Sequence, residues 1–143
     1  MGINRFIFDA SVAVKWFFDE EEDEKARRFL RLLRQKEIEI VVPELFYCEF
    51  ASACWKKVSK NLVSFEYASQ ALDDIAALPL KRYPDYELFD VAFGNAIQYG
   101  ISAYDGFYVA LAEIYVAPLV TADEGLLAAC RGRFDFIESL KDQ

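Results

Sequence analysis

Residues 5–18, RFIFDASVAVKWFF, change their apolar spacing at an acid. Before Asp9 the run Phe6-Ile7-Phe8 is short, aromatic and β-branched, the signature of a strand. After it, SVAVKWFF reads as a short helix with Ser11 as its cap. The same succession recurs downstream. IEIVV (38–42) is a second strand closed by Pro43, followed by a helix over ELFYCEFASACWKKVSK (44–60). APLVT (117–121) is another strand, followed by a short helix over EGLLAACR (124–131). Strands that alternate with helices imply a parallel sheet covered on both faces.

The remaining segments fit that plan. EKARRFLRLLRQK (24–36) has apolar residues at 26, 29, 30, 32 and 33, a helical spacing, with arginines between them. SFEYASQALDDIAAL (64–78) is a further helix, and LKRY (80–83) a strand stopped by Pro84. The stretch from Tyr86 to Tyr99 gathers Phe89, Ala92, Phe93, Ala96 and Ile97 on one side, with Gly100 as a C-terminal cap. AYDGFYVALAEIYV (103–116) is a helix, and FDFIE (134–138) a last strand. No repeat or Gly/Ser linker interrupts residues 1–143, so a single domain is expected. Its class is α/β, a three-layer α/β/α sandwich on a mostly parallel sheet.

Composition narrows the chemistry. Hydrophobic residues make up 55% of the 143, enough for a packed core. No apolar run approaches the ~18 residues of a membrane span, and the start MGINRFIF lacks the pattern of a secretory signal. A soluble, cytoplasmic protein is expected. Cys48, Cys54 and Cys130 show no C-x-x-C spacing and read as reduced core thiols. Histidine is absent, which removes imidazole acid–base chemistry and histidine metal sites. The formal charge of −8, from 24 acids and 16 bases, argues against a strong non-specific nucleic-acid binder. It leaves room for a nuclease whose acids cluster at a metal.

Four acids stand out against their surroundings. Asp9 ends the first strand. Glu49 is the sole charge between Leu45 and Trp55, Asp105 the sole charge between Asp90 and Glu113, and Asp123 the first after Glu113. Each has a plain structural reading as well. Asp9 can cap a helix, Glu49 can lie on a solvated helix stripe, and Asp105 can close a capping box with Ser102. Asp123 can cap the last short helix, although Thr121 and Glu124 supply a capping box that would leave it free. Ligands of open α/β sheets bind beyond the carboxyl ends of the strands, where Asp9 and Asp123 fall. Two carboxylates ~4 Å apart repel by about 4 kcal/mol at an effective dielectric near 20, so four that converged would raise their own pKa values or take a cation. With oxygen ligands alone, Mg²⁺ or Mn²⁺ is the natural one.

These segments resemble the motifs of the PIN-domain nucleases. FIFDASVAVKWF is similar to the first, with Asp9 and Ser11 in the matching places. PELFYCEFASA resembles the second, with Glu49. YDGFYVALAE, the most specific, offers Asp105, and LVTADEGL resembles the fourth, with Thr121 and Asp123. The order is the family's and the motifs span nearly the whole chain. Two positions depart from it: Ser52 stands where asparagine is frequent, and Gly106 where alanine is.

The resemblance implies an endoribonuclease dependent on Mg²⁺ or Mn²⁺. Asp9, Glu49, Asp105 and Asp123 would be its metal ligands and catalytic acids, with Ser11, Thr121 and Lys15 as supporting or substrate-contacting residues. It is most like the VapC-type toxins of type II toxin–antitoxin pairs, which implies an RNA substrate, a small antitoxin partner and a homodimer. Glu124 adds a negative charge beside the expected site. Arg27, Arg28, Arg31, Arg34, Lys56, Lys57 and Lys60 are candidate phosphate contacts, but Asp23 and Glu24 can pair with Arg27 and Arg28 as a solvated face. Trp16, Phe17 and Phe18 fit core packing better than base stacking. The main rival is a non-catalytic module of the same fold that binds a partner protein or a structural cation. A haloacid-dehalogenase-like phosphatase ranks low, since Ser11 stands where its second acid is needed. A dinucleotide binder ranks lower, with no G-x-G-x-x-G after the first strand.

Overall fold

A computed structural model describes residues 2–143. Along the chain run β1 (Asn4–Phe8), α1 (Ala10–Phe17), α2 (Asp23–Arg34), β2 (Ile38–Pro43), α3 (Leu45–Ser59), α4 (Phe65–Ala77) and β3 (Lys81–Tyr83). Then follow α5 (Phe89–Tyr99), α6 (Ala103–Tyr115), β4 (Leu119–Thr121), α7 (Glu124–Cys130) and β5 (Ile137–Ser139). The five strands form one sheet in the order β3-β2-β1-β4-β5. Every pairing is parallel.

Alternation along each strand builds two cores, because successive strand residues face opposite sides of a sheet. Phe8, Ile40, Val42 and Val120 pack with α1 to α4 on one face. Their neighbours Ile7, Val41 and Leu119 pack with α5, α6 and α7 on the other. The result is the expected three-layer α/β/α sandwich. Trp16 and Phe18 are buried in the first core, as expected of them, and the indole N–H of Trp16 donates to the Ala26 carbonyl at 2.8 Å.

Two element boundaries differ from the sequence reading. The last strand is Ile137–Ser139 rather than 134–138. Phe134 is instead held in a turn by its N–H on the Cys130 carbonyl and sinks its ring into the second core. Helix α5 starts at Phe89, after a single 3₁₀ turn over Asp85–Glu87, and Gly100 caps it at φ 66° as expected. Of the cysteines, Cys54 and Cys130 are buried and Cys48 is exposed.

Helices α5 and α6 approach closely at Gly106. A Cβ there would lie 2.3 Å from the Ala92 carbonyl oxygen, inside any tolerable contact. Asn95, buried between the helices, donates to the Gly106 carbonyl at 3.4 Å and to Glu113 at 3.1 Å. The glycine that departs from the motif pattern is thus required by this packing, and it sits beside Asp105.

Candidate active site

Register decides the centre. β1 pairs with β4 so that Phe8 lies opposite Val120, which brings the next residues of both strands, Asp9 and Thr121, side by side. The Thr121 hydroxyl donates to Asp9 Oδ2 at 2.5 Å. The Ser11 hydroxyl donates to Asp9 Oδ1 at 2.5 Å, and the Ser11 N–H to the same oxygen at 3.1 Å. A carboxylate has room for about four such bonds, so acceptor sites remain on Asp9.

Two capping assignments change. Asp9, not Ser11, is the N-cap of α1. The Ser11 hydroxyl is drawn instead between Asp9 and the backbone N–H of Ala122, which donates to it at 3.0 Å. Asp123, not Thr121, caps α7, its Oδ1 accepting from the N–H groups of Gly125 (2.9 Å) and Leu126 (3.2 Å). Thr121 is unavailable because its hydroxyl binds Asp9 and also accepts the Asp123 N–H at 3.0 Å. Both reversals have one cause: the two hydroxyls tie the ends of β1 and β4 together.

Glu49 projects from α3 and Asp105 from the first turn of α6, where Ser102 caps the helix by accepting the Asp105 N–H at 3.1 Å. One residue of the site was not foreseen. Tyr108, wholly buried, donates its phenol O–H to Glu49 Oε1 at 2.5 Å. Its sequence signal was its place three residues after Asp105, on the same helix face.

The four acids lie close enough to influence one another's charge. Burial pushes the Asp9 carboxyl up to about 7; the Ser11 and Thr121 hydroxyls oppose that shift, and Glu49 and Asp105 add to it. Burial also raises Glu49, opposed by Tyr108 and reinforced by Asp105 and Asp123. Asp105 is raised by burial and by Asp123, against the Ser102 hydroxyl. Four segments separated by up to 114 positions of sequence therefore meet at the carboxyl ends of the central strands. Among the described residues, no three His, Cys, Asp or Glu side chains close into a group able to hold a cation as they stand. The donor set is still oxygen only, with mutually repelling carboxylates, and that chemistry fits a hard divalent cation.

The surrounding charges are mostly engaged. Lys15 is buried, with its ammonium on the Glu21 carbonyl at 2.6 Å and 3.5 Å from Glu20. Lys57 pairs with Glu20 at 2.7 Å, and Arg27 with Asp19 and Asp23, each at 3.2 Å. Glu124 faces Lys141 at 3.5 Å, so part of its charge is matched. Lys56 on α3 and Lys60, which caps its end, remain exposed.

The PIN domain family model matches residues 6–132. Ribonuclease VapC3 of Pyrobaculum aerophilum is 30% identical over 124 residues, covering 85% of this chain and 92% of that protein. The crystal structure of PAE2754, also from Pyrobaculum aerophilum, superposes with a TM-score of 0.71 at 24% identity, over 97% of this chain and 85% of that one. A VapBC2 structure from Rickettsia felis, bound to a DNA fragment from its promoter, gives a TM-score of 0.65 at 16% identity, over 94% of this chain and 98% of that one.

Proposed function

This chain belongs to the PIN-domain family, and on that premise we propose that it is an endoribonuclease dependent on Mg²⁺ or Mn²⁺, the toxin of a type II toxin–antitoxin pair. Its VapC ribonuclease relative supports the reaction, and its fold likeness to chains of the VapBC2 structure and of a toxin-antitoxin complex from Klebsiella pneumoniae supports the pairing with a small antitoxin. The observation that carries the reading is the meeting of four acids from four segments, with only oxygen donors, beyond the ends of a parallel sheet.

Asp9, Glu49, Asp105 and Asp123 would hold the cation. When bound, the cation would lower the pKa of a water and neutralise charge developing on the phosphodiester. The chain's own residues set the geometry for this. Ser11 and Thr121 each take one oxygen of Asp9 and fix the plane of its carboxylate. Asp123 Oδ1 is tied to the start of α7, which leaves Oδ2 for the site. We assign Lys15 an indirect role, pinning the α1–α2 connection through Glu20 and Glu21 rather than touching phosphate. The exposed Lys56 and Lys60 are the better candidates for the RNA backbone.

The deciding experiment pairs Mn²⁺ calorimetry with an RNA-cleavage assay on wild type, Asp9→Asn and Asp105→Asn. Loss of both binding and cleavage in the variants is expected. Unchanged binding in both variants would remove the metal-centre reading, and binding without cleavage by the wild type would favour the non-catalytic module.

A further inference from the structure

Each acid of the cluster has its own hydrogen-bond donor, and the donors differ in kind. Asp9 has two hydroxyls and an amide, and Asp123 has the amides that open α7. Asp105 has the Ser102 hydroxyl beside it. Glu49 is the longest of the four side chains, and among the described residues its carboxylate receives one hydrogen bond, from Tyr108. That bond joins α3 to α6 across 59 positions of sequence. The phenol has a single O–H, and at 0% exposure it has no water to turn toward. Its donor is therefore committed to Oε1.

We propose that Tyr108 is the positioning residue of Glu49, its phenol holding Oε1 so that Oε2 is the oxygen presented to the other three acids and to a divalent cation. This rests on the metal-centre reading above. A glutamate left without such a partner samples several rotamers, and fixing it at binding costs conformational entropy. Tyr108 fixes it beforehand. Partners of this kind, which orient a ligand without touching the metal, commonly change metal affinity by about 10–100-fold when removed. The same reasoning explains why a large polar ring lies wholly inside the second core: its body sits in the cluster that α6 forms with the sheet while its one polar atom reaches Glu49.

The test is a double-mutant cycle read by Mn²⁺ calorimetry on wild type, Tyr108→Phe, Glu49→Ala and the double variant. Tyr108→Phe keeps the ring and removes only the hydroxyl. It should weaken Mn²⁺ binding about tenfold or more, while in the Glu49→Ala background it should change the affinity less than about twofold, because the residue it acts through is gone. An equal loss in both backgrounds would show that Tyr108 acts through packing, and an unchanged affinity in the single variant would show that it does not act at all; either overturns the proposal. Glu49→Asp is an independent probe that leaves Tyr108 intact. Its carboxylate keeps the charge but stands one methylene short of the phenol, so it should match Tyr108→Phe in Mn²⁺ affinity, and wild-type affinity would contradict the proposal. A wild type that binds no Mn²⁺ would instead sink the metal-centre reading itself.

Discussion

Burial lifts the carboxyl of Asp9 to about 7, against an ordinary value of 3.8. The folded chain therefore holds this proton more tightly than the unfolded chain. The stability it contributes is complete below pH ~4 and is lost as pH rises through about 7, with the shift equivalent to about 4 kcal/mol. In chelator, Asp9→Asn should raise the melting temperature at pH 8 and lose most of that advantage at pH 5; melting curves at the two pH values check this. Added Mn²⁺ should reverse the order at pH 8, since only the carboxylate binds the cation well. Gly106 gives a second prediction at this scale. Gly106→Ala drives a methyl into the Ala92 carbonyl, and overpacking of that kind costs about 1–3 kcal/mol. Urea denaturation would measure the loss, and weaker Mn²⁺ binding should accompany it because Asp105 is the adjacent residue. At this scale the sequence was partly legible. The four acids stood out because each interrupts an apolar stretch. The capping roles of Asp9 and Asp123 are not legible because a hydroxyl has one proton and several possible partners, and only the strand register decides which acid it takes. Tyr108 was hidden for a related reason, since a tyrosine in an apolar helix looks like packing until its hydroxyl is found against Glu49.

Helix α5 carries a different message. Ala92, Asn95 and Tyr99 are buried toward α6 and the core. Phe89, Phe93 and Ile97, at four-residue spacing, are 55%, 65% and 72% exposed, and Tyr86 just before the helix is 83% exposed. A row of large apolar side chains on one exposed face marks an interface. If the chain forms the homodimer that the family resemblance implies, this is the face on which it would form, with the same stripe from each copy meeting about a two-fold axis. Phe93→Asp should shift a dimer to monomer in sedimentation velocity while leaving the fold intact by circular dichroism. A dimer that persists unchanged would place the interface elsewhere. From sequence, the 86–99 stretch showed Phe89, Ala92, Phe93, Ala96 and Ile97 as one apolar side. The structure divides that side into a buried edge and an exposed one. Periodicity shows that a helix is apolar over a wide arc, but it does not show what covers each part of the arc.

Across the whole molecule, the alternation of strands and helices was enough to predict a covered parallel sheet. The order β3-β2-β1-β4-β5 was not written in any one segment, because long-range pairing depends on which apolar faces meet. That order puts β1 and β4 side by side and makes the acidic site a clasp between distant parts of the chain. A ligand that binds only the folded state stabilises it. Mn²⁺ at a hundred times its dissociation constant should add about 2.7 kcal/mol, which raises the melting temperature of a chain of this size by about 5–10 °C; differential scanning calorimetry with and without chelator measures it. The clasp also has a consequence in time. A growing chain emerges amino end first and its early segments begin to fold first. Until β4 and α7 follow, Asp9 lacks the Thr121 hydroxyl beside it and Asp123 has no helix to cap. A site built this way is not assembled while most of the chain's length is still being translated, so whatever the acids do together waits until β4 and α7 have emerged.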